Sequence, residues 1–256
     1  MPAPLPQGIL EGPGGAPVLV LANSLASTTA MWVPQMAAWR QRFRVFRYDY
    51  AGHGDPGFDG SAPDSMEGLG QALLAALDAH GVDRFAFAGI SLGGMLGLYL
   101  AATAPERVTR LVAANCRYFP SDPARQQWND RIAAVRAGGM EAIAGPTLER
   151  WLTDDFRARH PEQAAAVRAM VCSTSREGYA HAASAVRDFD ARPLLERITC
   201  PTLVVSGAQD LGVPSEQLAV LADTLGARHL VLDPCAHLSS IERAATVTEE
   251  FGAFLA

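Results

Sequence analysis

Short, unbroken apolar runs punctuate the chain. They are Val18-Leu19-Val20-Leu21, Ala86-Phe87-Ala88, Pro201-Thr202-Leu203-Val204-Val205 and His229-Leu230-Val231-Leu232, and Arg44-Val45-Phe46-Arg47-Tyr48 reads as a further strand with arginines at two of its positions. Apolar residues fill these runs instead of alternating with polar ones, as in parallel strands covered on both faces. Between them lie stretches with helical spacing, among them Met95–Ala102, Ser215–Leu225 and Ser239–Phe254. The alternation predicts an α/β domain with a mostly parallel, doubly wound sheet. Gln7 to Glu11 leaves room for one brief strand at the start. From about Tyr118 to Val186 the strand rhythm stops and the pattern is helical, with Ser121-Asp122-Pro123 and Ala144-Gly145-Pro146 expected as breaks. This divides the chain into a core, 1–117 with 187–256, and a helical insertion over 118–186. At 256 residues it is long enough for one such domain.

The most informative segment is Gly89-Ile90-Ser91-Leu92-Gly93-Gly94, where an apolar run passes directly into a helical pattern. A serine on so tight a strand-to-helix turn leaves no room for bulky neighbours, hence glycines two residues to either side, and Gly94 lets the helix pack closely. The arrangement resembles the nucleophile elbow of the α/β-hydrolases. The bland reading, a serine N-cap on an ordinary helix, accounts for the serine but not for its glycines.

A nucleophilic serine needs a base, and the base needs an orienting carboxylate; in this fold the chain order is Ser, acid, His. After the run ending at Gly207 comes Asp210 in a short loop, and after the run ending at Leu232 comes His237, just before the last helical pattern. Asp210 and His237 are the expected acid and base beside Ser91. Asp233, four residues before His237, is the rival acid. His53 comes too early for the base, His80 reads as a helix-end cap beside Gly81, His229 begins a strand, and His160 and His181 fall in the helical middle. The oxyanion hole is expected at the backbone N–H groups of Leu92 and of Leu25, in the loop Asn23-Ser24-Leu25-Ala26.

Composition narrows the chemistry. The chain has no lysine; all 21 of its basic residues are arginine. Schiff-base catalysis, a P-loop and pyridoxal phosphate attachment are thereby excluded. A serine at 91 in place of an aspartate argues against dehalogenase or epoxide hydrolase chemistry, leaving acyl transfer from an ester, lactone or thioester. Cys116, Cys172, Cys200 and Cys235 show neither CxxC nor metal spacing and read as reduced packing residues. No metal and no cofactor is expected. The net charge of −6 offers nothing to nucleic acid, and no 18-residue apolar span or leader pattern is present, so the expectation is a cytoplasmic enzyme of a small-molecule substrate, away from membranes.

Several phrases narrow the resemblance further. Asp130 to Met140, Leu148-Glu149-Arg150-Trp151, Gly178-Tyr179, Val186 to Asp190, Ala236-His237-Leu238-Ser239, Asn23-Ser24-Leu25 and Ala104 to Val108 together resemble the 3-oxoadipate enol-lactonases, from about residue 17 to the C-terminus. The resemblance implies a helical lid inserted after the sixth strand and hydrolysis of an anionic enol-lactone through an acyl-enzyme. It puts Ser24, Trp128, Arg131, Arg150 and Trp151 at the substrate, with the arginines meeting a carboxylate. The chain departs from the family at Ala51-Gly52-His53-Gly54-Asp55, where an arginine usually leads, and at Ala26, where glycine is usual. Two other readings therefore stand beside the first: an esterase or lactonase for another small substrate, in secondary metabolism, and a binding protein of the same fold without turnover.

Overall fold

The computed structural model describes residues 8–256. Seven strands form one sheet: β1 (Gly8–Glu11), β2 (Val18–Ala22), β3 (Arg44–Tyr48), β4 (Phe85–Ile90), β5 (Val108–Ala114), β6 (Thr202–Gly207) and β7 (Arg228–Leu232). Their spatial order is β1-β3-β2-β4-β5-β6-β7, with β1 antiparallel to β3 and every other pair parallel. Two of the apolar runs have the expected cause, since β4 and β6 are buried along their whole length; β7, at the sheet edge, is largely uncovered, with Val231 exposed. The flanking helices are α1 (Val33–Trp39), α2 (Met66–Ala79), α3 (Leu92–Thr103), α9 (Ser215–Leu225), α10 (Ser239–Glu242) and α11 (Ala244–Leu255). The expected final helix is thus two: Arg243, at φ −121° and ψ 43°, breaks the ladder between α10 and α11.

Five helices lie between β5 and β6: α4 (Asp122–Gly138), α5 (Glu141–Trp151), α6 (Asp154–Arg159), α7 (Pro161–Cys172) and α8 (Arg176–Asp188). The insertion therefore follows the fifth strand of this sheet, not the sixth, because among the described residues only four strands precede β5. Ser121 opens α4 as expected, its hydroxyl accepting from the Ala124 N–H. The break expected at Ala144-Gly145-Pro146 does not occur. Pro146 sits inside α5, and the break falls instead at Gly139, whose φ of 74° suits a residue without a side chain. Pro146 forfeits one helical hydrogen bond, while burial of Ile143, Ala144, Thr147 and Trp151 holds the helix on its neighbours.

Parallel strands deliver their C-terminal ends to one edge of the sheet, and loops at such an edge are where α/β proteins assemble sites. The turns after β2, β4, β5 and β6 all meet there. The Asn23 carbonyl accepts from Gly93 N–H at 3.0 Å, and Ala114 O accepts from Ser91 N–H at 2.9 Å.

Candidate active site

Ser91 occupies the turn between β4 and α3 with φ 58° and ψ −116°, a conformation costly for any residue with a Cβ. Its glycine neighbours are required by contact. A Cβ on Gly89 would stand 2.2 Å from the Gly93 carbonyl, and one on Gly93 would stand 2.2 Å from Ala22 O. The turn projects Ser91 into a cavity of about 500 Å³. His237 and Asp210 line the same cavity.

Asp210 is 6% exposed, and its carboxylate is fully engaged. Oδ1 accepts from Gly212 N–H at 2.8 Å and Val213 N–H at 3.1 Å; Oδ2 accepts from Asn115 Nδ2 at 3.1 Å and lies 2.7 Å from His237 Nδ1. Burial by itself would raise its pKa, but the His237 charge and hydrogen bond, the Gly212 N–H and the Asn115 amide outweigh this and hold it below the ordinary carboxylate value. Asp210 is thus an anion aimed at one nitrogen of the imidazole. The rival, Asp233, is exposed and makes no such contact.

The backbone N–H groups of Leu25 and Leu92 have no acceptor among the described residues. Leu92 owes this to its place in the first turn of α3, where N–H groups have no intrahelical partner. Ala26 takes φ 62°, a left-handed conformation natural to glycine, so the departure at this position carries local strain. The loop 51–55 is anchored to the inserted helices: Gly52 O accepts from Ser175 N–H at 2.7 Å, at the N-cap of α8.

The inserted helices contribute Trp128, Arg131, Arg150, Trp151 and Tyr179 to the cavity wall, facing Ser24 and Leu25. Not all of their arginines line the cavity: Arg176 donates to Arg136 O, and Arg187 pairs with Asp188. Arg125, Arg136, Arg157, Arg159 and Arg168 each pair with a carboxylate outside the cavity. Arg131 and Arg150 line it, and neither has an acidic partner among the described residues. Arg131 donates from Nε to the Tyr179 hydroxyl and from Nη2 to Thr147 Oγ1, each at 3.0 Å, and its guanidinium lies 5.4 Å from the Trp128 ring centre. Burial raises the Tyr179 pKa, against the opposing pull of Arg131. The exposed Asp130 touches the rim, where Gln126 Nε2 donates to it at 2.8 Å.

Every site residue expected from the sequence lines this cavity except Leu92, whose backbone N–H is the group of interest. Sequence reasoning missed Asn115 and Arg117. Asn115 is fully buried at the end of β5 with φ 47°; besides holding Asp210, it accepts at Oδ1 from the Ser239 hydroxyl at 3.0 Å. Arg117 lines the cavity and donates from Nε and Nη2 to Gly212 O, at 3.0 and 2.7 Å, bracing the Asp210 loop. An asparagine and an arginine just beyond an apolar run were the available signal. Among the described residues no group of three or more His, Cys, Asp or Glu could hold a metal, and no helix is long and apolar enough to cross a membrane.

Comparison with known proteins bears on the chain and the fold as a whole. Residues 17–244 match the family described as the alpha/beta hydrolase fold. The 3-oxoadipate enol-lactonase 1 of Acinetobacter baylyi is 30% identical over 96% of this chain and 91% of its own. The crystal structure of the enol-lactonase from Burkholderia xenovorans LB400 superposes with a TM-score of 0.92 at 36% identity, covering 98% of this chain and 96% of that one. A thermophilic esterase from Thermogutta terrifontis, in a malate-bound structure, follows at a TM-score of 0.90 and 26% identity, covering 98% of this chain and 92% of that one. The chain belongs to the α/β-hydrolase fold family, and within it to the relatives of the 3-oxoadipate enol-lactonases.

Proposed function

We propose that this hydrolase opens a small anionic enol-lactone of the 3-oxoadipate enol-lactone type through an acyl-enzyme. Ser91 attacks the lactone carbonyl while His237 takes its proton; the imidazolium then returns a proton to the leaving enolate oxygen. His237 next activates water, which releases the acid and frees Ser91. Asp210 holds the ring with Nδ1 protonated, leaving Nε2 as the working nitrogen. The Leu25 and Leu92 N–H groups stabilise the tetrahedral oxyanion; removing one such donor in comparable enzymes costs about 2.7–4 kcal/mol. The helices of 118–186 act as a lid over the cavity, with 1–117 and 187–256 as the catalytic core. Ser24, Trp128, Arg131, Arg150 and Trp151 bind the substrate.

One observation carries the anionic part of this reading: Arg131 lies in the same cavity as Ser91 and His237 with no carboxylate of its own. A guanidinium left without a counter-charge beside a nucleophile suits a substrate that brings the charge. The malate-bound esterase relative adds support, because malate is a dicarboxylate. The deciding assay is turnover of 3-oxoadipate enol-lactone against neutral p-nitrophenyl acetate, by the wild-type enzyme and by Ser91→Ala. A much higher kcat/KM for the anionic lactone, lost in Ser91→Ala, is expected. Preference for the neutral ester would leave an ordinary esterase in its place.

A further inference from the structure

The two residues flanking His237 are both fastened to the inserted helices. On one side, Leu238 N–H donates to Trp151 O at 3.0 Å. On the other, Ala236 N–H donates to Glu242 Oε2 at 2.8 Å, and the second oxygen of that carboxylate reaches Thr153. Glu242 Oε1 accepts from Thr153 N–H at 3.1 Å and also from the Thr153 hydroxyl. The same hydroxyl caps α6, accepting from Phe156 N–H at 3.2 Å. No cation pairs with Glu242 among the described residues, so its acceptor capacity is spent on this bridge.

The bridge matters because the imidazole has so few restraints of its own. Its only polar partner among the described residues is Asp210, at 2.7 Å. One hydrogen bond fixes one point of a planar ring; the tilt about that point is left to the backbone and to whatever lies against the ring's face. Trp151 lies there, 6.2 Å away between ring centres and 22° from parallel. On the core side the backbone is held by Asn115 Nδ2, which donates to Ala236 O at 3.3 Å; on the other side both the ring-face contact and the backbone ties pass through residues 151–153.

We propose that Glu242 is a positioning residue for the base: by tying Ala236 to Thr153 it makes the seating of the inserted helices over the cavity set the aim of the His237 imidazole. The proposal rests on His237 being the base. It gives the helices a part in the proton transfer as well as in enclosing substrate, since a shift at Thr153 is passed to the backbone beside His237.

The test is a mutant cycle in the full-length enzyme, read on p-nitrophenyl acetate and on the rate of labelling of Ser91 by a fluorophosphonate. Glu242→Ala should lower kcat by about 10²-fold, the scale of loss for an ångström-sized misplacement of a catalytic group, with KM nearly unchanged and labelling slowed in step. Glu242→Gln keeps one acceptor and should fall between. In a His237→Ala background Glu242→Ala should cost nothing further, because its effect passes through that ring. An equal fractional loss in both backgrounds would overturn the proposal, as would an unchanged kcat. If Glu242→Ala does not fold by circular dichroism, Thr153→Val, which keeps the backbone N–H, takes its place: a smaller loss is expected, again absent without His237, and its persistence there overturns the proposal. A His237→Ala enzyme that kept full activity would sink the assignment of the base itself, a result visible before Glu242 is touched.

Discussion

Replacing Arg131 by methionine removes one of the guanidinium charges lining the cavity while keeping its bulk, and the consequence can be worked out from its contacts. Nε and Nη2 are committed to Tyr179 and Thr147, so a bound carboxylate would meet the remaining Nη1. A hydrogen bond to a charged group is worth about 1.5–3 kcal/mol, and each 1.4 kcal/mol is about tenfold in affinity. KM for the anionic lactone should therefore rise by about 10–150-fold. Were the guanidinium acting from open solvent, the pair would contribute only about 0–1 kcal/mol and the rise would stay below about sixfold. KM for p-nitrophenyl acetate should hardly move. Thr147 is fully buried and would lose its donor, so stability should fall as well, by about 1–3 kcal/mol. Arg131→Gln, which keeps donors without charge, separates that loss from the loss of charge: it should restore most of the stability and little of the affinity. Initial-rate kinetics on both substrates, with thermal melts of each variant, supply every quantity. Equal effects on charged and neutral substrates would refute the carboxylate site and most of the case for an enol-lactone over an ordinary ester.

Ser91→Ala should lower kcat by about 10⁶-fold, the scale found when a triad nucleophile is removed, and should leave the circular dichroism spectrum unchanged; near-normal turnover would end its assignment as nucleophile. Asp210→Ala should abolish most activity while Asp233→Ala retains it, since only Asp210 contacts His237 Nδ1, and the opposite pattern by kinetics would reverse the assignment of the acid. Gly89→Ala should destabilise the fold by about 1–3 kcal/mol, because the new methyl would have to displace the Gly93 carbonyl; a melt matching the wild type would contradict the close approach.

The features legible in the sequence were those written locally. Strand β3 was bounded correctly, and the elbow was marked by glycines that space alone requires. The order of the Asp210 and His237 loops followed from the alternation of strand and helix. What escaped was long-range: Asn115 meets Asp210 across 95 positions and Ala236 across 121, and nothing near Asn115 announces either partner. Glu242 likewise sits in a short helix where an acidic residue looks like ordinary surface. Pro146 misled because a proline is a local signal, whereas the burial of its neighbours in α5 that outweighs it is a tertiary one. The cavity arginines were named as candidates through the family-like phrases that hold them, but what separates them from the arginines paired on the outside is tertiary packing.

The backbone of Ser91 sets a trade between durability and turnover. A non-glycine residue held in a sparsely populated region costs the fold about 1–3 kcal/mol, a debt renewed with every molecule that folds. Glycine at 91 would cancel it, making the inactive enzyme the hardier one. A lineage that ceased to need the chemistry would thus drift toward glycine there without any selection for a new role.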